Sequence, residues 1–431
     1  MKIGVIGSGY VGLATALAFG KLGHEVVCGD IDEDKIAMLN DGRSPVAEPG
    51  FEETLKELTG SGKLKATIDI PALASESEVI FLCVGTPSLP DGGIDLSAIE
   101  DATQAISCSL DGQVVVVKST VLPGTARGVV LKVLKGGSGG YTVCNNPEFL
   151  REGSALEDSL DPDRIIIGSI DGKGTEKLLE LYKGFDCPKL MTDLDTAEMI
   201  KYASNIFLAL KITYSNEMAN LCERFGVDVY DVMTGVKLDK RIAPKYLDAG
   251  AGFGGSCFEK DLSAMIAAAK DEGYYPSLIA TTLDINDAQP LRMIELLESA
   301  LGSIPGKDVA VLGLAFKEDT ADVRNSRAII IVQALLGKGV NVTVHDPLAM
   351  DNFRSLCIGD LNYAGDVKDA LRDKDAVIIQ TNADEYVKLG PEDFKGLMRS
   401  PVVIDGRRAY EPEDMISAGI TYLGIGWKNS K

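Results

Sequence analysis

The sequence has few side chains that could act as a general base near neutral pH, because only two of its 431 residues are histidines. His24 and His345 each fall in a predicted strand near the edge of a nucleotide-fold pattern. A Ser-His-Asp triad, a histidine-bound metal or a histidine base of the simple hydroxy-acid dehydrogenase kind would have to use one of these two. Carboxylates, lysine, cysteine or water are therefore the expected proton-transfer groups.

Several other patterns are missing. No two of the eight cysteines have Cys-x-x-Cys spacing, which predicts reduced thiols and neither a disulfide framework nor a zinc site. The net charge of −21 argues against a nucleic-acid partner, since phosphate backbones bind basic surfaces. No apolar run approaches a membrane-spanning length and no charged-then-apolar leader begins the chain, so we expect a cytoplasmic protein without a membrane partner or a bound metal.

A dinucleotide-binding pattern begins the chain. An apolar strand at residues 2–6 runs into the turn GSGYVG at residues 7–12, a helix follows, and a second strand ends at Asp30. The glycines permit a tight turn and close approach of a pyrophosphate to a helix N-terminus. Asp30 should accept hydrogen bonds from the adenosine ribose and repel a 2′-phosphate, which favours NAD, although Lys35 leaves NADP open.

The stretch GFGGSCFEKD at residues 252–261 presents Cys257 just before a predicted helix. Free N–H groups and the positive dipole end at a helix N-terminus favour a thiolate. The alternative is that Cys257 is a small core hydrophobe, as most unpaired cysteines are. Three glycines and a serine suit a loop that approaches a ligand better than a core, so we favour a reactive thiol.

A long apolar helix is predicted at residues 196–225, and the dimer interface of the protein is expected there. Lys201 and Asn205 are polar positions one turn apart on it. From the residues alone, a site role and a solvent-exposed role for this pair are equally supported.

The opening pattern returns after residue 305 without the full glycine fingerprint, so this second fold is not expected to bind NAD. Cations at its predicted strand ends suit a phosphorylated ligand, with surface charge as the alternative. We predict an α/β protein with two Rossmann-like doubly wound parallel-sheet domains joined by a central helical domain with a long helix. The predicted bounds are 1–193 for the NAD-binding domain, 194–300 for the helical domain with the cysteine loop, and 301–431 for the C-terminal domain.

Four motifs together resemble the UDP-glucose and GDP-mannose dehydrogenase family over essentially the whole chain. They are GYVG at residues 9–12, NPEFLREG at 146–153, GFGGSCFxKD at 252–261 and AFKxDTxDxR at 315–324. The resemblance implies oxidation of the C6 hydroxyl of a nucleotide sugar to a carboxylate, with two NAD reduced in succession and a thiohemiacetal and thioester formed on Cys257. The C-terminal domain would bind the nucleotide sugar.

The same resemblance implies roles for individual residues. Cys257 would be the nucleophile, Lys201 and Asn205 would stabilise oxyanions, Asp261 would assist water or proton transfer, Thr120 would place the water and Glu148 would be the base in hydrolysis. Which group takes the first proton stays open. The cofactor residues would be Gly7, Gly9, Tyr10, Val11, Gly12, Asp30, Lys35, Thr86, Thr120, Glu152, Lys260 and Arg324. The substrate residues would be Glu148, Phe149, Leu150, Arg151, Glu152, Lys201, Asn205, Arg241 of a dimer partner, Tyr246, Phe253, Gly254, Gly255, Phe316, Lys317, Arg407 and Arg408.

The identity of the sugar is less constrained by these motifs. NPEFLREG favours UDP-glucose, LPGT at residues 122–125 is reminiscent of the GDP-mannose branch, and an N-acetylated UDP-sugar ranks third. Two competing functions are a two-electron hydroxy-acid dehydrogenase and a non-catalytic NAD or nucleotide sensor. The family usually has Pro or Gln where this chain has Glu259, and a carboxylate there would raise the pKa of Cys257.

Overall fold

The computed structural model of the chain describes residues 1–137 and 139–428. The chain divides into two compact units, the first made of residues 1–204 and 263–274 and the second of residues 205–262 and 275–431. The predicted division into three domains stays a prediction, and its last three residues lie outside the described part of the chain.

The first unit is built on an eight-stranded sheet in the order β3-β2-β1-β4-β5-β6-β7-β8. Most of its strands are short apolar runs buried on both faces, as expected for a parallel sheet covered by helices. The junction of β6 with β7 is antiparallel. The strands are β1 (Lys2–Ile6), β2 (Glu25–Gly29), β3 (Leu64–Thr67), β4 (Val79–Leu82), β5 (Gln113–Val117), β6 (Tyr141–Asn145), β7 (Ile165–Ser169) and β8 (Lys189–Thr192).

Helices connect these strands, and an aspartate directly precedes several of the helices as the N-cap residue. The Asp32, Asp69 and Asp171 side chains accept hydrogen bonds from first-turn N–H groups, which satisfies donors that a helix leaves unpaired. The helices are α1 (Tyr10–Lys21), α2 (Glu33–Asn40), α3 (Phe51–Gly60), α4 (Ile70–Glu76), α5 (Ser97–Ile106), a π-helical segment (Ala126–Val130) continuing into α6 (Leu131–Leu134), α7 (Ala155–Leu160) and α8 (Gly172–Leu181).

The predicted long helix is present as α9 (Leu194–Phe225), 32 residues in length. Further helices follow it before the next strand. They are α10 (Val229–Lys237), α11 (Phe258–Asp271), α12 (Ser277–Ala288) and α13 (Leu291–Leu301).

The second unit contains a six-stranded sheet in the order β11-β10-β9-β12-β13-β14, in which every pairing is parallel. Two parallel-dominated sheets and a helical region between them along the chain confirm the predicted fold class. The strands are β9 (Asp308–Leu312), β10 (Asn341–His345), β11 (Asn362–Tyr363), β12 (Ala376–Ile379), β13 (Val402–Asp405) and β14 (Thr421–Gly424). The helices are α14 (Arg327–Gly337), α15 (Met350–Ser355), α16 (Val367–Leu371), α17 (Asp384–Val387), α18 (Pro391–Leu397) and α19 (Pro412–Ser417).

Among residues 1–137 and 139–428, no helix is both long and apolar enough to cross a lipid bilayer.

Candidate active site

In the first unit, the turn after β1 has the shape that a dinucleotide requires. Gly7 has φ +98°, and a Cβ at Gly12 would lie 1.8 Å from the Gly7 carbonyl oxygen, so neither position tolerates a side chain. At Gly9, in contrast, a Cβ would have no described heavy atom within 4 Å. The open space beside this glycine, at the start of helix α1, fits a pyrophosphate, because pyrophosphate oxygens accept hydrogen bonds from the N–H groups at a helix N-terminus.

Asp30 lies beside this turn, at the end of β2. Its Oδ2 accepts hydrogen bonds from the Ser8 N–H at 2.8 Å and the Ser8 hydroxyl at 2.5 Å, and its Oδ1 accepts from the Asp32 N–H. Burial would raise the pKa of Asp30, but these hydrogen bonds outweigh burial and its pKa lies below the ordinary value. Asp30 is therefore an ionised acceptor. Lys35 lies 3.8 Å from the Asp32 carboxylate.

The ends of β4, β5 and β6 bring further residues to this edge of the sheet. The Thr86 hydroxyl donates to the Thr120 carbonyl at 2.9 Å, which joins two of the predicted cofactor residues. Buried Lys118 donates to the Asn146 side-chain and backbone oxygens at 3.0 and 3.3 Å, and burial lowers the pKa of Lys118. The loop of residues 146–153 thus starts from a rigid buried network.

Glu148 and Lys201 form a buried ion pair. The Glu148 Oε1 lies 2.9 Å from the Lys201 Nζ, and the Leu150 N–H donates to the other carboxylate oxygen at 2.6 Å. Burial would raise the pKa of Glu148, but the Lys201 ammonium and the Leu150 N–H more than offset it, so its pKa is lowered. Two of the predicted catalytic residues therefore meet as opposite charges.

Two cations approach the ring of Phe149 in the same loop. The Arg164 guanidinium is 3.8 Å from the ring centroid and the Lys201 ammonium is 5.4 Å from it. Arg164 reaches this edge because β7 is antiparallel to β6, which places the residue before β7 next to the residues after β6. Arg151 instead pairs with Asp158 at 2.5 Å, and Glu152 is half-buried in the same loop.

Glu198, one turn before Lys201 on α9, is a buried carboxylate that the sequence predictions did not include. Its two oxygens accept hydrogen bonds from the Gly124 N–H at 2.6 Å and the Ala126 N–H at 2.8 Å, in the segment that follows Thr120. Burial raises the pKa of Glu198 to about 7. The criterion that selected Lys201, a charged residue on an apolar helix, would have found Glu198 as well.

In the second unit, three buried amide side chains anchor the backbone that leads to Cys257. Asn216 accepts from the Gly250 N–H at 2.8 Å, and Gln289 donates to the Gly250 carbonyl at 2.9 Å. Asn286 accepts from the Phe253 N–H at 2.8 Å and donates to the Phe253 carbonyl at 3.1 Å. A buried loop has no neighbouring strand to form hydrogen bonds with its backbone, and these side-chain amides form those hydrogen bonds instead.

The glycines of the cysteine loop allow close packing against the turn after β9. A Cβ at Gly254 would lie 2.4 Å from the Asn325 carbonyl oxygen, and a Cβ at Gly255 would lie 3.0 Å from the Phe316 ring. The Gly255 N–H also donates to the Arg324 carbonyl at 3.0 Å. Predicted substrate residues Gly254, Gly255 and Phe316 are therefore in contact.

Cys257 is exposed and directly precedes helix α11, as the sequence pattern predicts. Its carbonyl accepts the Asp261 N–H at 2.9 Å, and the Ser256 hydroxyl lies 3.5 Å from its sulfur. Asp261 is buried, and its carboxylate accepts from Asn205 at 2.6 Å and from Lys260 at 2.6 Å. Asn205, Lys260 and Asp261 thus form one hydrogen-bonded group, with Lys260 engaged by Asp261.

The turn after β9 differs from the turn after β1. Asp346, at the end of β10, accepts hydrogen bonds from the N–H groups of Leu314 at 2.7 Å and Ala315 at 3.1 Å. These two N–H groups are therefore already bonded to a protein carboxylate. The expectation that the second fold does not bind NAD stays a prediction.

Arg407 and Arg408, predicted together, have different surroundings. Arg407 donates to the carbonyls of Gln380 at 2.9 Å and Phe316 at 3.4 Å, which brings it to the Phe316 turn. Arg408 is only 10% exposed, forms a two-pronged ion pair with Asp228, and lies over the rings of Tyr230 and Trp427. Its Nη atoms are held by Asp228, whereas its Nε is buried without a hydrogen-bond partner among the described residues. We expect a structural role for Arg408, and its role in substrate binding stays a prediction.

The remaining predicted residues lie on loops of the second unit. Arg241 is 89% exposed and pairs with Asp239, and Arg324 pairs with Asp322 at 2.6 Å. Tyr246 has a left-handed backbone with φ +65° and is half-buried. The Lys317 ammonium lies 5.8 Å from the Phe316 ring centroid.

Family models match three successive parts of the chain. The NAD binding domain of the UDP-glucose/GDP-mannose dehydrogenase family matches residues 1–186, its central domain matches residues 195–288, and its UDP binding domain matches residues 310–412. The chain belongs to this family. It is therefore an NAD-dependent dehydrogenase, as the four motifs predict, and the open turn at Gly9 with the ionised Asp30 fits the cofactor.

Named relatives and a solved structure agree with this membership. The chain is 44% identical to UDP-glucose 6-dehydrogenase AglM of Haloferax volcanii, over 95% of this chain and 97% of that protein. It is 42% identical to UDP-glucose 6-dehydrogenase TuaD of Bacillus subtilis, over 99% and 93%. It superposes with a TM-score of 0.93 on a UDP-glucose dehydrogenase from Pyrobaculum islandicum, which is 41% identical over 99% of this chain and 98% of that one.

Proposed function

We propose that the chain catalyses the NAD-dependent, four-electron oxidation of UDP-glucose at C6 to UDP-glucuronate. The observation that carries this proposal is the exposed Cys257 at the N-terminus of α11, on a loop held by buried amides. The names of the relatives and the NPEFLREG loop support UDP-glucose as the sugar nucleotide.

A cysteine is needed because an aldehyde has no hydride to transfer until a group adds to its carbonyl carbon. The Cys257 thiolate adds to that carbon and gives a thiohemiacetal, whose oxidation leaves a thioester. Water then cleaves the carbon–sulfur bond, which releases the carboxylate and returns the thiol. NAD, when bound, accepts one hydride from C6 in each oxidation, so two NAD and one water are used per sugar.

In the first unit, the Glu148–Lys201 ion pair supplies a base and a cation. Lys201 stabilises negative charge on the oxygen bonded to C6, and Glu148, which its lowered pKa keeps ionised, accepts a proton from the hydrolytic water. Thr120 orients that water. The Lys118 network and the Glu198 hydrogen bonds hold the backbone on which Glu148 and Thr120 lie.

In the second unit, Asp261 and Asn205 are assigned to proton transfer and to oxyanion stabilisation. Asn205 donates to an oxyanion, and Asp261 assists proton transfer while Lys260 balances its charge. The ion pair of Lys260 with Asp261 supports this balancing role, and Lys260 is also assigned to NAD binding, as predicted.

For the nucleotide sugar, we assign phosphate binding to Arg407 and Lys317 at the Phe316 turn, together with the backbone of Gly254 and Gly255. The loop of residues 148–152 and Tyr246 complete the predicted sugar contacts. NAD is assigned to the turn of residues 7–12, with Asp30, Lys35, Thr86 and Thr120, and to Glu152 and Arg324.

We propose a homodimer formed through α9. Phe207, Tyr214 and Leu221 are exposed apolar residues at seven-residue spacing on this helix, which places them on one face. Arg241, which is highly exposed, would then act in the partner's site. Light scattering should give twice the chain mass, and a monomer at working concentration would contradict this assignment.

We also propose a cytoplasmic location, because all eight cysteines are thiols outside any disulfide in the part of the chain that the structure describes, as is usual for proteins of a reducing compartment. Fractionation of the native cell with an antibody against the chain would test this location.

The function is tested by supplying a limiting amount of nucleotide sugar with NAD in excess and measuring how many equivalents of NADH form per sugar. We expect two equivalents from UDP-glucose and none from GDP-mannose. Cys257→Ser should abolish the two-equivalent reaction, and Cys357→Ser, an exposed cysteine outside the proposed site, is the matched control and should leave it unchanged.

Each other result selects a different function. Two equivalents from GDP-mannose would move the assignment to that branch of the family. One equivalent would indicate a two-electron dehydrogenase and would exclude the thioester mechanism. No NADH from either sugar would favour an N-acetylated UDP-sugar as substrate or a sensor.

A further inference from the structure

Glu259 places a carboxylate two residues after Cys257, in the first turn of α11. Its side chain is only 21% exposed, so water screens it poorly. A negative charge beside a thiol opposes formation of the thiolate, which is the form that attacks carbon. A compensating charge near Glu259 would therefore favour the thiolate of Cys257 near neutral pH.

Arg327, the first residue of α14, supplies that charge. Its Nη2 donates to the Glu259 Oε1 at 2.6 Å and to the Asn325 carbonyl at 3.0 Å, and its Nε donates to the same carbonyl at 3.2 Å. The side chain is 3% exposed, and its Cδ would be 3.3 Å from a Cβ at Gly252. Hydrogen bonds and packing against Gly252 thus hold the guanidinium next to the cysteine loop.

A second carboxylate also approaches Arg327 but is less important. Asp287 lies 3.3 Å from the Arg327 Nη1 and is 62% exposed, so solvent screens this contact far more than the contact with Glu259. Burial raises the pKa of Glu259 and the Arg327 guanidinium opposes that rise. Glu259 is therefore the principal partner of Arg327.

We infer that Arg327 is a positioning residue, whose ion pair with Glu259 fixes the first turn of α11 and offsets the charge that Glu259 places two residues after Cys257. This inference rests on the proposed role of Cys257 as the nucleophile. A lysine could supply the charge but not the forked hydrogen bonds to Glu259 and Asn325.

Other charged groups of the second unit surround the loop and remain constant in the test. In the first turn of α11, Lys260 and Asp261 pair with each other, and in the turn after β9, Arg324 pairs with Asp322. Lys317 lies at the Phe316 ring. The only charges to be altered are those of Arg327, Glu259 and Asp287.

The test measures the rate of alkylation of Cys257 by iodoacetamide against pH in the full-length protein, by mass spectrometry of the peptide that contains Cys257. Arg327→Gln leaves Glu259 unbalanced, so we expect alkylation at pH 7 to be about three- to tenfold slower. Glu259→Gln leaves Arg327 in excess and should accelerate it by a similar factor. The double variant should return to within about twofold of the parent, and Asp287→Asn is the exposed control and should change the rate less than twofold.

Opposite signs for the single variants and recovery in the double variant support the inference. Shifts of the same sign, or a double variant as slow as Arg327→Gln, would overturn it. If Arg327→Gln does not fold, Arg327→Lys replaces it. That variant should keep the alkylation profile and lower kcat with little change in KM, and a parental kcat would overturn the positioning role.

Alkylation does not require turnover, so this result is independent of the proposed function. A chain that makes no NADH but shows the opposite-signed shifts would contradict the function and support the charge balance. A chain that makes two NADH but shows no shifts would do the reverse.

Discussion

The two sheets have the same order around their first strand, β3-β2-β1-β4-β5 in one and β11-β10-β9-β12-β13 in the other, but the turns after β1 and β9 are built differently. After β1, Asp30 accepts from Ser8, and helix α1 begins at once at Tyr10. After β9, the Asp346 carboxylate accepts hydrogen bonds from the N–H groups of Leu314 and Ala315, and the next helix begins only at Arg327.

This difference explains why one topology serves two ligands. A pyrophosphate needs N–H groups at a helix N-terminus, and the first turn leads directly into such a helix. In the second unit the next helix, α14, begins only at Arg327, and we propose that side chains such as Arg407 and Lys317 help to hold a phosphate there. The strand order therefore does not determine the ligand, whereas the distance along the chain from the turn to the next helix differs, since α1 begins at Tyr10 and α14 only at Arg327.

The largest expected effects come from replacing each of these aspartates by alanine. Asp346→Ala removes the acceptor of four backbone N–H groups, those of Leu314, Ala315, Leu348 and Ala349, and should lower the free energy of unfolding by about 3–5 kcal/mol. Asp30→Ala should instead weaken NAD binding about 10- to 100-fold and should destabilise the fold less than Asp346→Ala, because Asp30 is half-buried and accepts hydrogen bonds from fewer backbone N–H groups. Urea unfolding and calorimetric titration with NAD measure the two quantities.

Weaker NAD binding by the Asp346→Ala variant, or a loss of stability in Asp30→Ala as large as in Asp346→Ala, would contradict these different roles of the two aspartates. Asp30→Ala should also reduce the preference for NAD over NADP, since it removes the charge that repels a 2′-phosphate.

A somewhat smaller effect is expected from the cations of the second unit. Arg407→Met should raise KM for the nucleotide sugar about tenfold, because a charge-assisted hydrogen bond to phosphate is lost. The control is the neighbouring Arg408→Lys, which disturbs the fork with Asp228. It should lower the melting temperature and leave KM unchanged. A reversed pattern would return substrate binding to Arg408.

Gly9→Ala tests the open turn of the first unit. The added Cβ meets no described atom of the protein, so stability should be preserved, but it occupies space next to the pyrophosphate and should weaken NAD binding about tenfold. Gly60→Ala, whose Cβ would also be unobstructed, is the matched control and should leave NAD binding unchanged. Equal affinities for the two variants would show that the pyrophosphate lies elsewhere.

The smallest effect concerns Glu198, whose pKa burial raises to about 7 from an ordinary value of 4.5. The folded chain then holds a proton that the unfolded chain releases, so the stability due to protonated Glu198 is complete below pH 4.5 and is lost as pH rises through 7. In the Glu198→Gln variant, the free energy of unfolding should therefore fall less steeply with pH between about pH 5 and 8 than in the parent. The difference in slope should be at most about 1.4 kcal/mol per pH unit, the limit for one proton. Exposed Glu413→Gln should leave the slope unchanged, and parallel curves for Glu198→Gln and the parent would contradict the expectation.

Local patterns were sufficient to predict the turn of residues 7–12, Asp30, helix α9 and the position of Cys257 before α11, because each depends on residues close in sequence. The antiparallel β7 was not evident, since an apolar strand has the same composition in either direction, and so the approach of Arg164 to Phe149 was missed. Nor does the sequence show that Arg408 is engaged by Asp228, because these partners are 180 residues apart.

The amides of Asn216, Asn286 and Gln289 hold the backbone at Gly250 and Phe253 by hydrogen bonds that neither gain nor lose a proton between about pH 4 and 10. The anchoring of this backbone is therefore the same in acid and in alkali. Inflections in a plot of log kcat against pH can then be read as titrations of reacting groups, the thiol and its neighbouring carboxylates, without a contribution from release of this segment.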